Sequence, residues 1–199
     1  PDAIDPDLIT ADAFAAEWKY DGIRVQAVAE GETRRIYTRT GDDISHTFPD
    51  VLAAMEFDAA LDGELLVRRE DGSVAPFNEL QQRLNRKTVS KKQMDARPAF
   101  IRAYDLLAEG DEDLRALTFK QRRARLETFI GGLETDRIDL SPLVDVTDIK
   151  QLEAARNMPP APEIEGLMLK RWDSVYEAGR PKGPWFKWKR DPFLVDAVL

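Results

Sequence analysis

The chain has 199 residues, of which 43% are hydrophobic and 33% are charged, as is ordinary for a globular protein in water. It contains no cysteine, which excludes disulfides, thiolate metal sites and cysteine catalysis. There is no apolar run of the roughly 20 residues that a membrane helix needs, and no signal-peptide pattern. We therefore expect a cytoplasmic protein without a membrane partner.

The net charge of −8 argues against a nucleic-acid partner only if the charge is spread evenly. It is not, because "RLNRKTVSKK" (83–92) and "WFKWKR" (185–190) contain no acid. Basic patches on an acidic body remain compatible with a polyanion. The net charge therefore neither predicts nor excludes a nucleic-acid partner.

Short β-rich runs alternate with helical patterns along the chain. Strands are predicted at 15–19, 22–29, 34–40, 61–67, 99–107, 165–172 and 185–190. Helices are predicted at 48–56, 77–85, 118–130 and 148–158, with Thr118 as an N-cap and Gly131–Gly132 as a stop signal. Grouped strands with interspersed helices indicate an α+β domain of mainly antiparallel sheets.

The first predicted strand ends in "EWKYDGIRVQ" (17–26), which contains Lys19. This lysine could be a solvated surface charge, a phosphate-binding residue or a nucleophile. A lysine has a pKa of about 10.4 in water and is a poor nucleophile at neutral pH. Burial or nearby cations can activate it.

The last predicted strand, "WFKWKR", offers such cations. Strand alternation places Phe186 and Trp188 on one side and Lys187 and Lys189 on the other. Two parallel ammonium groups suit a phosphate. The alternative is an edge strand that uses lysines against aggregation.

Two further strands carry carboxylates. In "LDGELLV" (61–67), Asp62 and Glu64 share one face, where a carboxylate can bind a ribose hydroxyl or Mg²⁺, or simply face solvent. "EGLMLK" (165–170) begins with Glu165 and ends with Lys170. A regular strand puts these two on opposite faces, so both reach one site only if Gly166 bends the strand.

Three other polar or aromatic residues also allow a structural interpretation. Arg39 could grip a phosphate or a ribose, or be a surface arginine. Tyr104 could present a flat face to a base, or belong to the core. His46 has no surrounding partner pattern and is read as structural or solvated. The sequence contains neither a Gly-rich phosphate-binding loop nor a clustered metal motif.

The order of these segments is more specific than any one of them. The segments resemble, in order and rough spacing, the nucleotidyltransferase motifs of ATP-dependent DNA ligases of the bacterial kind; they are "KYDGIR", "RTGDD", "LDGELLV", "AYDLL", "EGLMLK" and "WFKWKR". The resemblance implies an α+β, ATP-grasp-like adenylation domain of mainly antiparallel sheets flanked by helices, spanning residues 1–190. Residues 191–199 would begin a linker to a C-terminal OB-fold domain.

The resemblance also implies residue roles. Lys19 would attack the α-phosphate of ATP and carry AMP through a phosphoramide bond. Glu17 would read the adenine amino group and Tyr104 would stack on adenine, where the family commonly has phenylalanine. Glu64 would hold the ribose and, with Glu165, a Mg²⁺ or Mn²⁺ ion.

Further basic residues would contact phosphate or sugar, namely Arg24, Arg39, Lys170, Lys187 and Lys189. Many relatives have a basic residue six positions before the first lysine of the last motif. Pro181 stands there, and Arg180 or Lys182 could substitute for it, with Arg180 as the candidate site residue. The basic run of Arg83, Arg86, Lys87, Lys91 and Lys92 is the candidate contact to the DNA backbone, with a solvated helix face as the alternative.

The implied partners are ATP, nicked double-stranded DNA, and OB-fold and DNA-binding domains in the full-length protein, which would act as a monomer associated with the nucleoid. The chain alone would bind ATP, self-adenylate slowly and seal nicks poorly. Two alternatives remain: an RNA ligase or GTP-using capping-type transferase, and a non-catalytic nucleic-acid-binding module.

Overall fold

The computed structural model describes residues 10, 12–84, 86, 88–145, 148–179 and 183–190. Its strands are β1 (Phe14–Tyr20), β2 (Ile23–Glu30), β3 (Thr33–Thr38), β4 (Ala59–Val67), β5 (Ala99–Glu109), β6 (Glu112–Asp113), β7 (Ile138–Leu140), β8 (Ile164–Arg171) and β9 (Trp185–Lys189). Its helices are α1 (Pro49–Ala53), α2 (Phe77–Leu84), α3 (Lys91–Ala96), α4 (Phe119–Gly131) and α5 (Ile149–Asn157). Every predicted element has a counterpart, whereas α3, β6 and β7 were not predicted.

The strands form two sheets. The small sheet is three-stranded in the order β1-β8-β9, and the large sheet is six-stranded in the order β3-β2-β4-β5-β6, with β7 beside β5. All pairings between these strands are antiparallel except that of β5 with β7. The predicted α+β class with mainly antiparallel sheets is therefore confirmed.

The main hydrophobic core covers one face of the large sheet. Alternation along β4 directs Leu61, Leu65 and Val67 into this core, where they are almost fully buried. Helix α4 closes the core with Leu126. The opposite face of β4 is thereby left to Asp62 and Glu64, as the sequence predicts.

The small sheet has a core of its own. Leu167 and Leu169 of β8 pack with Leu152 of α5, and Trp18 and Trp188 pack against them from the two neighbouring strands. Because side chains alternate along a strand, the other face of this sheet carries the intervening polar residues. The small sheet is thus apolar toward α5 and charged on the opposite side.

Helix α4 connects the two sheets. It begins after Thr118, whose hydroxyl accepts a hydrogen bond from the Gln121 amide at 3.3 Å, so the predicted N-cap is confirmed. Two consecutive arginines of the helix are buried. Arg122 is bound by Asp105 of the large sheet, with an Nε–Oδ1 distance of 2.7 Å, and Arg123 is bound by Glu17 of the small sheet.

Candidate active site

A cleft of about 590 Å³ lies between the charged face of the small sheet and the polar face of the large sheet. Of the residues predicted to form the site, it is lined by Glu17, Lys19, Arg24, Arg39, Glu64, Tyr104, Lys170, Lys187 and Lys189. These residues lie on β1, β2, β4, β5, β8 and β9 and in the turn after β3. The fold therefore brings together residues from six strands and one turn, at positions that range from 17 to 189.

Lys19 lies at the end of β1 and is paired with Glu165. Its Nζ contacts Glu165 Oε1, and the other oxygen, Oε2, lies 2.5 Å from Lys189 Nζ. Burial pushes the pKa of the Glu165 carboxyl up, but hydrogen bonds from Lys189 and Lys19 outweigh it and hold that pKa below its usual value. One carboxylate thus holds two of the lysines that were predicted to act together.

A β-bulge decides which way Glu165 points. Lys19 pairs with Gly166 and Tyr20 pairs with Ile164, so Glu165 is the extra residue of β8. Gly166 has φ +152°, and a Cβ there would lie 2.2 Å from the Trp188 carbonyl oxygen. The bend at Gly166 that the odd spacing requires is therefore present, and it brings Glu165 against Lys19 and Lys189, which line the same cleft as Lys170.

Glu17 and Lys170 form a buried pair at the inner end of the cleft. Both side chains are only 2% exposed, and their charged groups are in contact. The Lys170 Nζ also lies 4.3 Å from the centre of the Tyr104 ring and 4.5 Å from that of Trp185. Glu17 Oε1 further accepts a hydrogen bond from Arg123 Nη1 at 3.1 Å.

Glu64 faces Lys19 from the large sheet. Burial raises the pKa of the Glu64 carboxyl to about 7, and the charge of Asp62 acts in the same direction while that of Lys19 opposes it. Among the residues that the structure describes, none donates a hydrogen bond to this carboxylate. A buried carboxylate without donors has acceptor capacity left for a cation or a hydroxyl group.

Asp62, two residues earlier on β4, has the opposite character. It is fully buried and accepts hydrogen bonds from Arg24 Nε at 3.1 Å, from the Tyr104 hydroxyl at 3.1 Å and from the Tyr176 hydroxyl at 2.9 Å. Burial raises the pKa of Tyr176 to about 12, so it donates as a neutral phenol. This network fixes the Tyr104 ring and the Arg24 guanidinium in the cleft wall.

Arg39 and Lys187 are exposed at the rim of the cleft. Arg39 follows β3 in a turn, and Lys187 lies opposite Met168 on the neighbouring strand. The remaining predicted site residue, Arg180, and the predicted linker 191–199 lie outside the described residues. The roles assigned to all these residues stay predictions.

One member of the candidate DNA-contact run is misassigned. Arg83 is 1% exposed, and its guanidinium donates to Asp50 and to the Thr47 carbonyl oxygen. The prediction that Arg83 contacts DNA is therefore wrong, because helix α2 turns this side chain into the core. Arg86, Lys91 and Lys92 are exposed, and Lys87 lies outside the described residues.

Four further residues of the site were not singled out from the sequence: Arg102, Arg123, Tyr176 and Trp185. Alternation along β9 already places Trp185 on the face of Lys187 and Lys189. For Arg123 no sequence signal was available, since it is a helical residue 106 positions from its partner Glu17.

Across the described segments, no cluster of three or more His, Cys, Asp or Glu side chains is arranged to hold a metal ion by itself. In the same part of the chain, no helix combines the length and the apolar character needed to cross a bilayer.

Comparison with known proteins identifies the family. A family model described as the ATP dependent DNA ligase domain matches residues 6–189. The chain belongs to this family. The α+β, ligase-type nucleotidyltransferase fold that the motif order implies is likewise confirmed.

Two relatives illustrate the extent of the match. A DNA ligase of Methanosphaerula palustris is 33% identical over 199 residues, which cover 98% of this chain and 35% of that protein. A probable DNA ligase of Koribacter versatilis is 32% identical, with 92% of this chain and 36% of that protein covered. The chain thus spans about a third of the length of these curated relatives, and the expectation of a bacterial ligase stays a prediction.

Solved structures agree with this assignment. A mycobacterial DNA ligase D complexed with ATP and MES is 26% identical, with a TM-score of 0.73 over 91% of this chain and 56% of that chain. A Chlorella virus DNA ligase-adenylate has a TM-score of 0.66 at 18% identity, over 95% of this chain and 66% of that chain, and it supports the fold alone.

Proposed function

We propose that this chain is the adenylating domain of an ATP-dependent DNA ligase. The Lys19 Nζ attacks the α-phosphorus of ATP, an N–P bond forms, and the bond to the bridging oxygen breaks with its electron pair leaving on pyrophosphate. The observation that carries the proposal is the position of Lys19, which faces Glu64 and Glu165 in a cleft whose walls also present Lys187 and Lys189.

Lys19 must lose a proton before it attacks, because an ammonium group has no lone pair. The Glu165 carboxylate contacts the Lys19 Nζ, but Lys189 and Lys19 hold its pKa below the usual value, so the proton passes to solvent. Lys187 and Lys189 protrude from β9 on the same side and supply positive charge for the α-phosphate. Such fixed charges stabilise the negative charge that the transferring phosphoryl group carries.

The remaining residues bind the nucleotide. Tyr104, whose hydroxyl is fixed by Asp62, offers its ring to the adenine base. Glu17 accepts a hydrogen bond from the adenine amino group, and Glu64 accepts one from the ribose. Arg24, Arg39, Lys170 and Arg180 are assigned to phosphate or sugar contacts.

The donor set also fits a divalent cation. Glu64 and Glu165 are hard oxygen ligands that approach Lys19 from the two sheets, and Glu64 has free acceptor capacity. Mg²⁺ is commonly bound by one or two carboxylates together with substrate phosphates. When bound, Mg²⁺ or Mn²⁺ would offset phosphate charge.

In the full-length protein, we propose that the lysine-bound AMP activates nicked double-stranded DNA for sealing, with OB-fold and DNA-binding domains completing the site. The exposed Arg86, Lys91 and Lys92 are the candidate backbone contacts. Replacing these three by glutamate should weaken DNA binding and its salt dependence while leaving adenylation of Lys19 intact. We also expect the protein to act as a monomer.

The direct test is to incubate the chain with ATP labelled on the α-phosphate and with Mg²⁺, and then to analyse it on a denaturing gel. Label is expected on the wild type and on Lys150→Ala, a control in the exposed part of α5, and no label on Lys19→Ala. Intact mass should show one added adenylyl group that pyrophosphate removes. A wild-type chain that is never labelled would overturn the proposal, and labelled Lys19→Ala would overturn the choice of nucleophile.

The same assay separates the alternatives. Labelling by GTP in preference to ATP would indicate a capping-type transferase. Salt-sensitive DNA binding by a chain that reacts with neither nucleotide would indicate a binding module. Sealing of nicked DNA against nicked RNA by the full-length protein distinguishes a DNA ligase from an RNA ligase.

A further inference from the structure

Arg123 is a buried arginine that none of the six motif segments contains. Its side chain is 5% exposed and is fixed by acceptors from three directions. Nη1 donates to Glu17 Oε1 at 3.1 Å and to the Ser141 carbonyl oxygen at 2.8 Å, and Nε donates to Glu127 Oε1 at 2.7 Å. Such a guanidinium has little freedom to rotate, so it fixes whatever it binds.

What it binds is a carboxylate of the cleft wall. Glu17 is held by Arg123 on Oε1 and by Lys170 on Oε2. Lys170 is in turn confined by the rings of Tyr104, Trp185 and Phe119, with Nζ 5.0 Å from the last. Both oxygens of Glu17 are therefore bound by buried cations in the empty protein.

The free acceptor sites of Glu17 define what it can recognise. An ionised carboxylate accepts hydrogen bonds and donates none, and each of its oxygens can accept more than one. Its remaining lone pairs therefore suit an amino group on the ligand and repel a carbonyl oxygen at the same place. A purine with a 6-amino group satisfies this requirement, and a purine that lacks the group leaves the site unpaired.

We propose that Arg123 is a positioning residue for base selection: it holds Glu17 in the orientation in which the carboxylate selects a 6-amino purine. This inference rests on the proposed function, since it assigns the base of the nucleotide that Lys19 attacks. Arg123 acts through Glu17 and does not itself touch the base. Its removal should therefore cost base selectivity and not merely activity.

The test compares two nucleotides on one protein. ATP and purine riboside 5′-triphosphate differ only in the 6-amino group, and the quantity measured is the ratio of their kcat/KM values for adenylation-type transfer to Lys19. Because both nucleotides are offered to the same folded molecules, a variant that is partly unfolded loses rate with both and keeps the ratio. A hydrogen bond to a charged group predicts a wild-type ratio of about ten to a hundred.

The variants are Arg123→Gln, Arg123→Lys and, as the reference for loss of the carboxylate charge, Glu17→Gln. Arg125→Gln is the matched control, because Arg125 lies on the same helix but pairs with the exposed Glu112 at 2.8 Å. We expect the ratio to fall toward one in Arg123→Gln and to be unchanged in Arg125→Gln. In Arg123→Lys the ratio should be intermediate, because lysine keeps the charge but lacks the planar guanidinium group. The double variant with Glu17→Gln should lose no further selectivity.

The outcomes are distinct. An unchanged ratio in Arg123→Gln, with equal losses for both nucleotides, would reduce Arg123 to a structural role and overturn the inference alone. A wild-type ratio near one would also overturn the inference about Arg123. The proposed function would still hold in that case, because nucleotide would still be transferred to Lys19. A wild type that reacts with neither nucleotide would overturn both.

Discussion

The two sheets that form the cleft arrange their charges differently. On the small sheet, the charged groups are paired with one another across strands, as in the contacts of Glu165 with Lys19 and Lys189. On the large sheet, Asp62 is saturated by Arg24 and two tyrosines, whereas Glu64 on the same face has no donor in the described part of the chain.

This difference separates scaffold from ligand-binding groups. Asp62 accepts four hydrogen bonds, two on each oxygen, so it has no capacity left for a substrate, and its loss leaves buried donors unpaired. A carboxylate without donors contributes nothing by hydrogen bonding to the empty protein and is available to a ligand. Ion pairs at the cleft surface, such as those of Glu165, can exchange one partner for a phosphate or a metal.

The largest loss of stability is expected from Gly166→Ala in the bulge of the small sheet. A Cβ would lie 2.2 Å from the Trp188 carbonyl oxygen, which belongs to the backbone and cannot rotate away. Overpacking and strain together predict a loss of about 3 kcal/mol in the free energy of unfolding. Chemical denaturation measures it, with Gly131→Ala as the control, because nothing lies within 4 Å of a Cβ there.

The second largest loss in the free energy of unfolding is expected from Asp62→Asn. Asparagine keeps one acceptor oxygen and replaces the other by an amide NH2, so Asp62→Asn removes the charge that pairs with Arg24 and leaves one tyrosine hydroxyl without its acceptor. A fully buried pair would lose about 3–5 kcal/mol. The Arg24 side chain is 35% exposed and can turn to water, so we expect a loss of about 2 kcal/mol. A loss no larger than that of an exposed pair, as in Asp113→Asn, would contradict the scaffold role of Asp62.

Tyr176→Phe removes a single hydroxyl group from the same hydrogen-bond network and should have a smaller effect. It removes the hydroxyl that donates to Asp62 and accepts from Gln26 Nε2 at 3.1 Å, but it keeps the ring against Trp185. The loss in free energy of unfolding should be about 1 kcal/mol. In a double variant with Asp62→Asn, the two losses should fall short of additivity, as expected for partners in contact.

Glu64→Gln should have the smallest effect on stability and a large effect on chemistry. Glu64 has no donor to lose in the described structure, and burial already disfavours its charge, so the free energy of unfolding should change by less than about 0.5 kcal/mol. Loss of the ligand-binding carboxylate should slow lysyl-AMP formation by about a hundredfold. If Glu64→Gln were instead as destabilising as Asp62→Asn, the contrast between the two carboxylates would be wrong.

Much of the site was predictable from the sequence because it lies on strands. Alternation is local and regular, so it correctly placed Asp62 and Glu64 on one face of β4 and Lys187 and Lys189 on one face of β9. The order of the six motif segments identified the family that the comparisons confirm. The chain therefore determined by itself its fold class, its nucleophile candidate and most residues of its cleft.

The tertiary structure decided what depends on long-range contacts. A bulge and a glycine at 166 placed Glu165 against Lys19, helix packing turned Arg83 inward, and α4 placed Arg123 against Glu17. None of these follows from local periodicity, because each depends on where a distant backbone or carboxylate lies in the folded chain. Periodicity fixes which face a side chain takes, and only packing fixes which partner it meets there.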